Sequence, residues 1–240
     1  SALSRFCDNA RMNTVADPFA LAREHILRPA GLDEGHIERA LGSVLQARVD
    51  AADIYFQLAR DESWSLEDGI VKEGSANIEQ GVGVRALAGE KTGFAYSDEI
   101  QLGALEEAAL AARAIAASGG EGRVSALTRA AGHRLYLPQD PVGSLSDDDK
   151  VRWLERIDRE TRAVDPRIVQ VMASVSASYN IILLAASDGT YAADVRPLVR
   201  MNVSVIAEKD GRRETGFSGM GGRYSLAELV AGDQIGRAHV

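Results

Sequence analysis

Between residues 169 and 181 the chain alternates strictly. Val169, Val171, Ala173, Val175, Ala177, Tyr179 and Ile181 interleave with Gln170, Met172, Ser174, Ser176, Ser178 and Asn180. A period of two predicts a strand with one buried and one wetter face. Asp188-Gly189 reads as a turn, Val199, Met201, Val203, Val205 and Ala207 as the return strand, and Asp210-Gly211 as a second turn. Pro197 has no amide to donate, so it marks a bulge or a sheet edge.

A similar period runs from Ala52 to Tyr96, where Asp68-Gly69, Glu73-Gly74 and Gly89 to Gly93 supply turn signals, so an antiparallel meander is expected. Helical spacing occupies the intervening segments. Pro18 to Leu27 and Asp33 to Ala47 read as two helices broken by "RPAG", with Asp33 as N-cap and Ile37, Leu41, Val44 and Leu45 on one face. From Ile100 to Ser118, Leu102, Leu105, Ala109, Ala112 and Ile115 or Ala116 recur at three and four, predicting a helix that covers one face of the sheet. Ser146 and Asp149 form a capping-box-like pair ahead of Val151, Leu154, Ile157 and Val164, and Asp165-Pro166 stops that helix.

Strands and helices cluster in runs rather than in strict βαβ alternation, which predicts an α+β fold of antiparallel sheets packed against helices. "SGGEGR", Ser118 to Arg123, is the candidate linker. The expected organisation is a leader and first helix over residues 1–31, a first α+β unit over 32–123, a second and incomplete unit over 124–234, and a non-native tail over 235–240.

Composition narrows the function classes. The 240 residues are 45% hydrophobic and 26% charged, the profile of a soluble globular protein. A net charge of -8 argues against a broad surface for nucleic acid or anionic membrane. No apolar run approaches the roughly 20 residues that span a bilayer, and the N-terminal stretch has no signal-peptide core. Cys7 is the single cysteine, which excludes an internal disulfide and makes a cytoplasmic setting the expectation; lying in a polar leader, it reads as a bystander.

Candidate chemistry is sparse. "GVGVRALAGEKTGFA", residues 81–95, places glycines around a Lys-Thr pair as a phosphate loop does, but Glu90 separates Gly89 from Lys91 and would put a carboxylate where the anion sits. Val82, Val84, Ala86 and Ala88 alternate before Gly89, and Thr92, Phe94 and Tyr96 after it, so Ala88 to Gly93 reads as a hairpin tip whose glycines supply positive φ. His25, His36, His133 and His239 form no metal-binding helical pair. Asp61, Glu62, Glu67 and Asp68 could do acid/base work, although near turns they read better as a solvated face. Ser218 in "GFSGMGG" lacks the second glycine of a nucleophile elbow. Arg196, Arg200, Arg212 and Arg213 could grip a carboxylate or an acidic partner, or simply charge a strand edge against aggregation. Arg85 is open to two readings, a structural salt bridge or a substrate contact. Residue chemistry alone assembles no catalytic site and no metal site, and it singles out no substrate-binding residue.

Two long stretches carry a resemblance. "DIYFQLARDESWSLEDGIVKEGSANIEQGVGVRALAGEKTGFAYSDEI" resembles the N-terminal region of the catalytic, TldD-type subunits of the TldD/PmbA (TldE) family of bacterial zinc metalloproteases, and "AASDGTYAADVRPLVRMNVSVIAEKDGRRETGFSGMGGR" resembles the continuation into the second domain. The likeness covers roughly Leu32 to Arg223. It implies a cytoplasmic peptidase that encloses unfolded peptides, such as a microcin precursor or an antitoxin, together with a paralogous TldE/PmbA-like subunit. It implies Zn for the full-length protein, held by a His-Glu-x-x-x-His helix that lies C-terminal to "GMGGR", with its Glu activating a metal-bound water. That helix is beyond the end of this sequence, so no family site residue carries over and this chain alone is expected to bind no zinc and to be inactive.

"IGRAHV", Ile235 to Val240, is the translation of ATC GGA AGA GCA CAC GTC, which resembles a sequencing-adapter read, and the biological sequence is expected to end near Asp233. Two alternatives stand beside the protease subunit: a non-catalytic PmbA/TldE-like scaffold subunit, and an independent ligand-binding domain.

Overall fold

The computed structural model describes residues 17–46, 48–116, 122–132 and 135–232. In chain order it contains α1 (Pro18–Ala22), which runs on as a π-helical turn over Arg23–Leu27, then α2 (Glu34–Leu45), β1 (Ala51–Glu67), β2 (Ile70–Ala88), β3 (Lys91–Ser97) and α3 (Leu102–Ala116). After β4 (Thr128–Arg129) and a 3-10 turn at Val142–Ser144 come α4 (Asp147–Val164), β5 (Ile168–Ala186), β6 (Thr190–Lys209), β7 (Arg212–Gly222) and α5 (Leu226–Ala231).

The strands of both expected units join one seven-stranded sheet, ordered β3-β2-β1-β5-β6-β4 with β7 also on β6. The joint is β1 against β5, antiparallel from Asp53↔Ala186 to Glu67↔Met172. Ser187 locks it: its Oγ accepts from Ala52 N at 3.0 Å and its own N donates to Ala52 O at 2.8 Å. Every pairing is antiparallel except the two-residue β4–β6 contact. This confirms the α+β reading. The longest strand, β6, has 20 residues and so extends on the order of 65 Å.

Local chemistry sets the turns. Asp68 and Gly69 take φ 51 and 73, and Asp210 and Gly211 take φ 52 and 78, the paired positive values that match the twist of two-residue hairpins. Two glycine signals mean something else. Glu73-Gly74 lies inside β2, where a Cβ on Gly74 would sit 2.8 Å from the Trp64 ring, so this glycine makes room rather than a turn. At the β2–β3 tip only Gly89 has positive φ; Gly93 is within β3, and a Cβ there would fall 2.1 Å from the Ala112 carbonyl oxygen of α3. Small residues at that point let helix and sheet approach. Pro197 stands in β6 opposite Tyr179, in the gap between the stretches of β6 that pair with β4 and β7, which fits the expected edge position.

The helix caps follow the sequence. Asp33 caps α2 through His36 N, and the Oγ of Ser146 accepts from Asp149 N at the start of α4. All four longer helical segments lie on one side of the sheet, where Ile54, Phe56, Leu66, Val84, Ile181 and Leu183 bury themselves with Leu41, Leu105, Leu154 and Ile157. Linker residues 118–121, Cys7, His133, His239 and the tail 235–240 lie outside the described residues.

Candidate functional site

Because side chains alternate across a strand, the register that buries Ile54, Phe56, Val82, Val84, Leu183 and Val195 turns their neighbours to the opposite side. Among the described residues no helix covers that second face. It presents Tyr55, Gln57, Asp61 and Ser63 from β1, Asn77 and Ser75 from β2, Ser174, Ser176, Ser178 and Asn180 from β5, and Arg196, Leu198, Arg200 and Asn202 from β6. Hydroxyls, amides and a few large apolar groups on an uncovered surface are suited to contact with a ligand.

Three depressions indent this face. The first, about 330 Å³, lies between β1, β2 and β3 and is lined by Tyr55, Gln57, Glu79, Phe94, Tyr96 and Asp98 among others. The second, about 240 Å³, includes Asp61, Ser63, Ser75, Ser178, Leu198 and Arg200. The third, about 310 Å³, includes Glu67, Lys72, Met172, Ser174, Asn202 and Phe217.

The floor of the first explains the glycines of "GVGVR". Gly81 and Gly83 stand opposite Gln57 and Tyr55, and Gly83 also faces Tyr96. A Cβ on Gly83 would come within 3.1 Å of two carbons of the Phe94 ring, so the ring lies directly over the backbone. Phe94 and Tyr96 stack with centroids 6.3 Å apart and are 57% and 78% exposed. Burial holds the Tyr55 hydroxyl above its ordinary pKa. Arg85 spends its charge on Asp53 across the β1–β2 pair, 2.6 Å apart, so it makes the structural bridge.

The remaining candidates separate. Asp61 is on the open face, whereas Glu62 points into the helix side and pairs with the buried Lys150 at 2.5 Å; the expectation of a solvated acidic face is wrong for Glu62. Trp64 Nε1 donates to the same carboxylate. Glu67 accepts from Gln170, and Asp68 accepts from Val171 N and from Arg162, which hold the Asp68 carboxyl below its usual pKa. Ser218 is in mid-β7 against Val203, not at a strand-to-helix elbow. Of the four arginines, Arg196 pairs with Asp194, Arg212 with Glu214 and Arg213 with Glu208, while Arg200 bonds Asn202 and lines the second depression; they form no common anion site. "GEKTG" is strand, turn, strand, so no helix N-terminus is present to receive a phosphate.

His36 serves the α2 cap, 2.6 Å from Asp33, and His25 is exposed on the turn after α1. Among the described residues no three His, Cys, Asp or Glu side chains gather as a metal site, so those residues do not fit a metal centre. Nor is any described helix long and apolar enough to cross a membrane. Sequence reasoning missed Gly81, Gly83, Phe94, Tyr96 and Asp98 as parts of one depression; the signal was the small residue at every second position of β2 facing aromatics in β3.

Residues 52–116 match the PmbA/TldA metallopeptidase domain 1, and residues 140–238 the PmbA/TldA metallopeptidase central domain. A metalloprotease TldD homolog of Haemophilus influenzae is 45% identical over 213 residues, which is 87% of this chain and 44% of the relative. Among solved structures, a putative modulator of a DNA gyrase from Thermotoga maritima matches with TM-score 0.63 at 17% identity, covering 82% of this chain and 44% of the other. TldE from Thermococcus kodakarensis matches with TM-score 0.62 at 18% identity, over 85% and 46%. Those two likenesses speak for the fold alone. The chain spans less than half the length of the curated relative it matches, and it belongs to the PmbA/TldD metallopeptidase family.

Proposed function

We propose that this chain is the N-terminal part of a TldD-like metallopeptidase subunit that cleaves unfolded peptides, such as a microcin precursor or an antitoxin, in the cytoplasm together with a TldE/PmbA-like partner. The observation that carries this reading is a sheet face that no described helix covers, opposite the face that carries the helices and the core. An extended polypeptide can lie across such a surface, exchanging hydrogen bonds with Gln57, Ser63, Ser178 and Asn202 whatever its sequence. The TldD homologues named as metalloproteases support the hydrolytic class. In this reading zinc, which would supply a Lewis acid, is held by residues that follow this chain, and the first α+β unit (32–123), the linker and the second unit (124–234) serve to hold substrate.

The test begins with the source DNA downstream of the codon for Asp233. A frame continuing into a metal-binding helix, whose product cleaves unfolded but not folded polypeptide in the presence of the partner, is the expected result. A family-like continuation without metal ligands overturns the catalytic reading in favour of a scaffold subunit. An immediate native stop favours an independent binding domain.

A further inference from the structure

We propose that the depression between β1, β2 and β3 is a seat for one cationic side chain, arginine or lysine, of a bound peptide. The proposal rests on the reading of the open face as a peptide surface and adds a side-chain preference to it.

Three features of the depression converge. Its floor is glycine backbone: at Gly81 a Cβ would collide with the Ser97 carbonyl at 2.8 Å, and at Gly83 the Phe94 ring lies over the backbone, 3.1 Å from where a Cβ would be. Its wall is aromatic: Phe94, Tyr96 and Tyr55 offer flat faces that attract a cation and cover its aliphatic stem. Its rim is acidic. Asp98 follows β3 beside Gly81, Glu79 stands two residues before Gly81 on the same face, and neither is ion-paired among the described residues. The other depressions lack this bias, because Asp61 is accompanied by Arg200 in the second and Glu67 by Lys72 in the third. A neutral aromatic guest would leave both carboxylates without a counter-charge, and an anionic guest would meet repulsion; a cation satisfies wall and rim together.

The probe is a short unstructured Gly/Ser peptide with one central arginine, titrated into the 240-residue chain and followed by NMR, against the same peptide with neutral citrulline. The arginine peptide is expected to bind about fivefold more tightly, shifting Gly81, Gly83, Phe94 and Tyr96. Asp98→Asn should remove most of that preference, Tyr96→Ala should weaken both peptides and bring their affinities together, and Tyr96→Phe should retain the preference. Tyr96 is 78% exposed, so these variants leave the core untouched. Equal binding of the two peptides, or shifts confined to other parts of the molecule, overturns the seat. A citrulline peptide that still perturbs the open face in that case leaves the wider peptide reading standing, whereas failure of the full-length subunit and its partner to cleave unfolded peptide overturns the peptidase reading whatever the arginine preference.

Discussion

The two faces of the sheet are made from the same strands and differ only by one residue in register, yet they are built for opposite purposes. Toward the helices, Leu183, Val195, Ile54 and Val84 are at most 1% exposed. Toward solvent, Leu198 and Tyr55 are 42% and 37% exposed, among serines, amides and charges. A buried side chain on the first face contributes to stability through packing; an exposed one on the second can be changed at little cost to the fold and is free to meet a ligand, whereas Ala59 and Ile182 on that second face are themselves buried. The buried Lys150–Glu62 pair belongs to the first face despite its charge.

The largest effect should come from that pair. Lys150→Met strands the Glu62 carboxylate beside Trp64 and is expected to cost about 3–5 kcal/mol in chemical denaturation, with much of the loss recovered when Glu62 is also made apolar. Leu183→Ala should cost about 2–5 kcal/mol, while Leu198→Ala should change stability by less than about 0.5 kcal/mol; similar losses at both would erase the distinction between the faces. Gly93→Ala pushes a methyl into the backbone of α3 and should cost about 1–3 kcal/mol by the same measurement. By contrast, Gly42 in α2 has open space around it, and Gly42→Ala should stabilise by about 0.5–1 kcal/mol. The smallest effect is on pH dependence. Hydrogen bonds from Arg167 hold the Asp165 carboxyl down at about 2, against an ordinary 3.8. The folded pKa is depressed, so this contribution is complete above the ordinary value and is lost as pH falls through about 2; Arg167→Ala should flatten stability over that interval.

Much of this comparison could be read in advance. The alternation marked the core side of β5 from Val171 to Ile181, while Val169, at an irregularity in the pairing with β6, is 46% exposed; the hairpins at Asp68-Gly69 and Asp210-Gly211 and the caps at Asp33 and Ser146 are where the residues indicate. Other features depend on partners distant in sequence. That β1 pairs with β5 is set by shape and burial between segments more than 100 residues apart, which no local period encodes. Phe94 and Tyr96 point outward because α3 comes close enough to admit only Gly93 and Ala95 on its side, so hydrophobicity alone misjudges their direction. Glu62 looks like its neighbour Asp61 until Lys150 is brought to it from α4. The first depression was latent in Gly81 and Gly83, whose role becomes visible only when β3 is laid alongside.

The central claim, that the helix-free face receives an extended polypeptide, is tested most directly by methyl NMR of the chain with an unfolded peptide carrying a spin label. The account predicts selective broadening of Leu198 and Met172, on the open face, with Leu105 and Leu154, beneath the helices, unaffected. Broadening centred on the helix-bearing side, or none at saturating peptide concentrations, would contradict it.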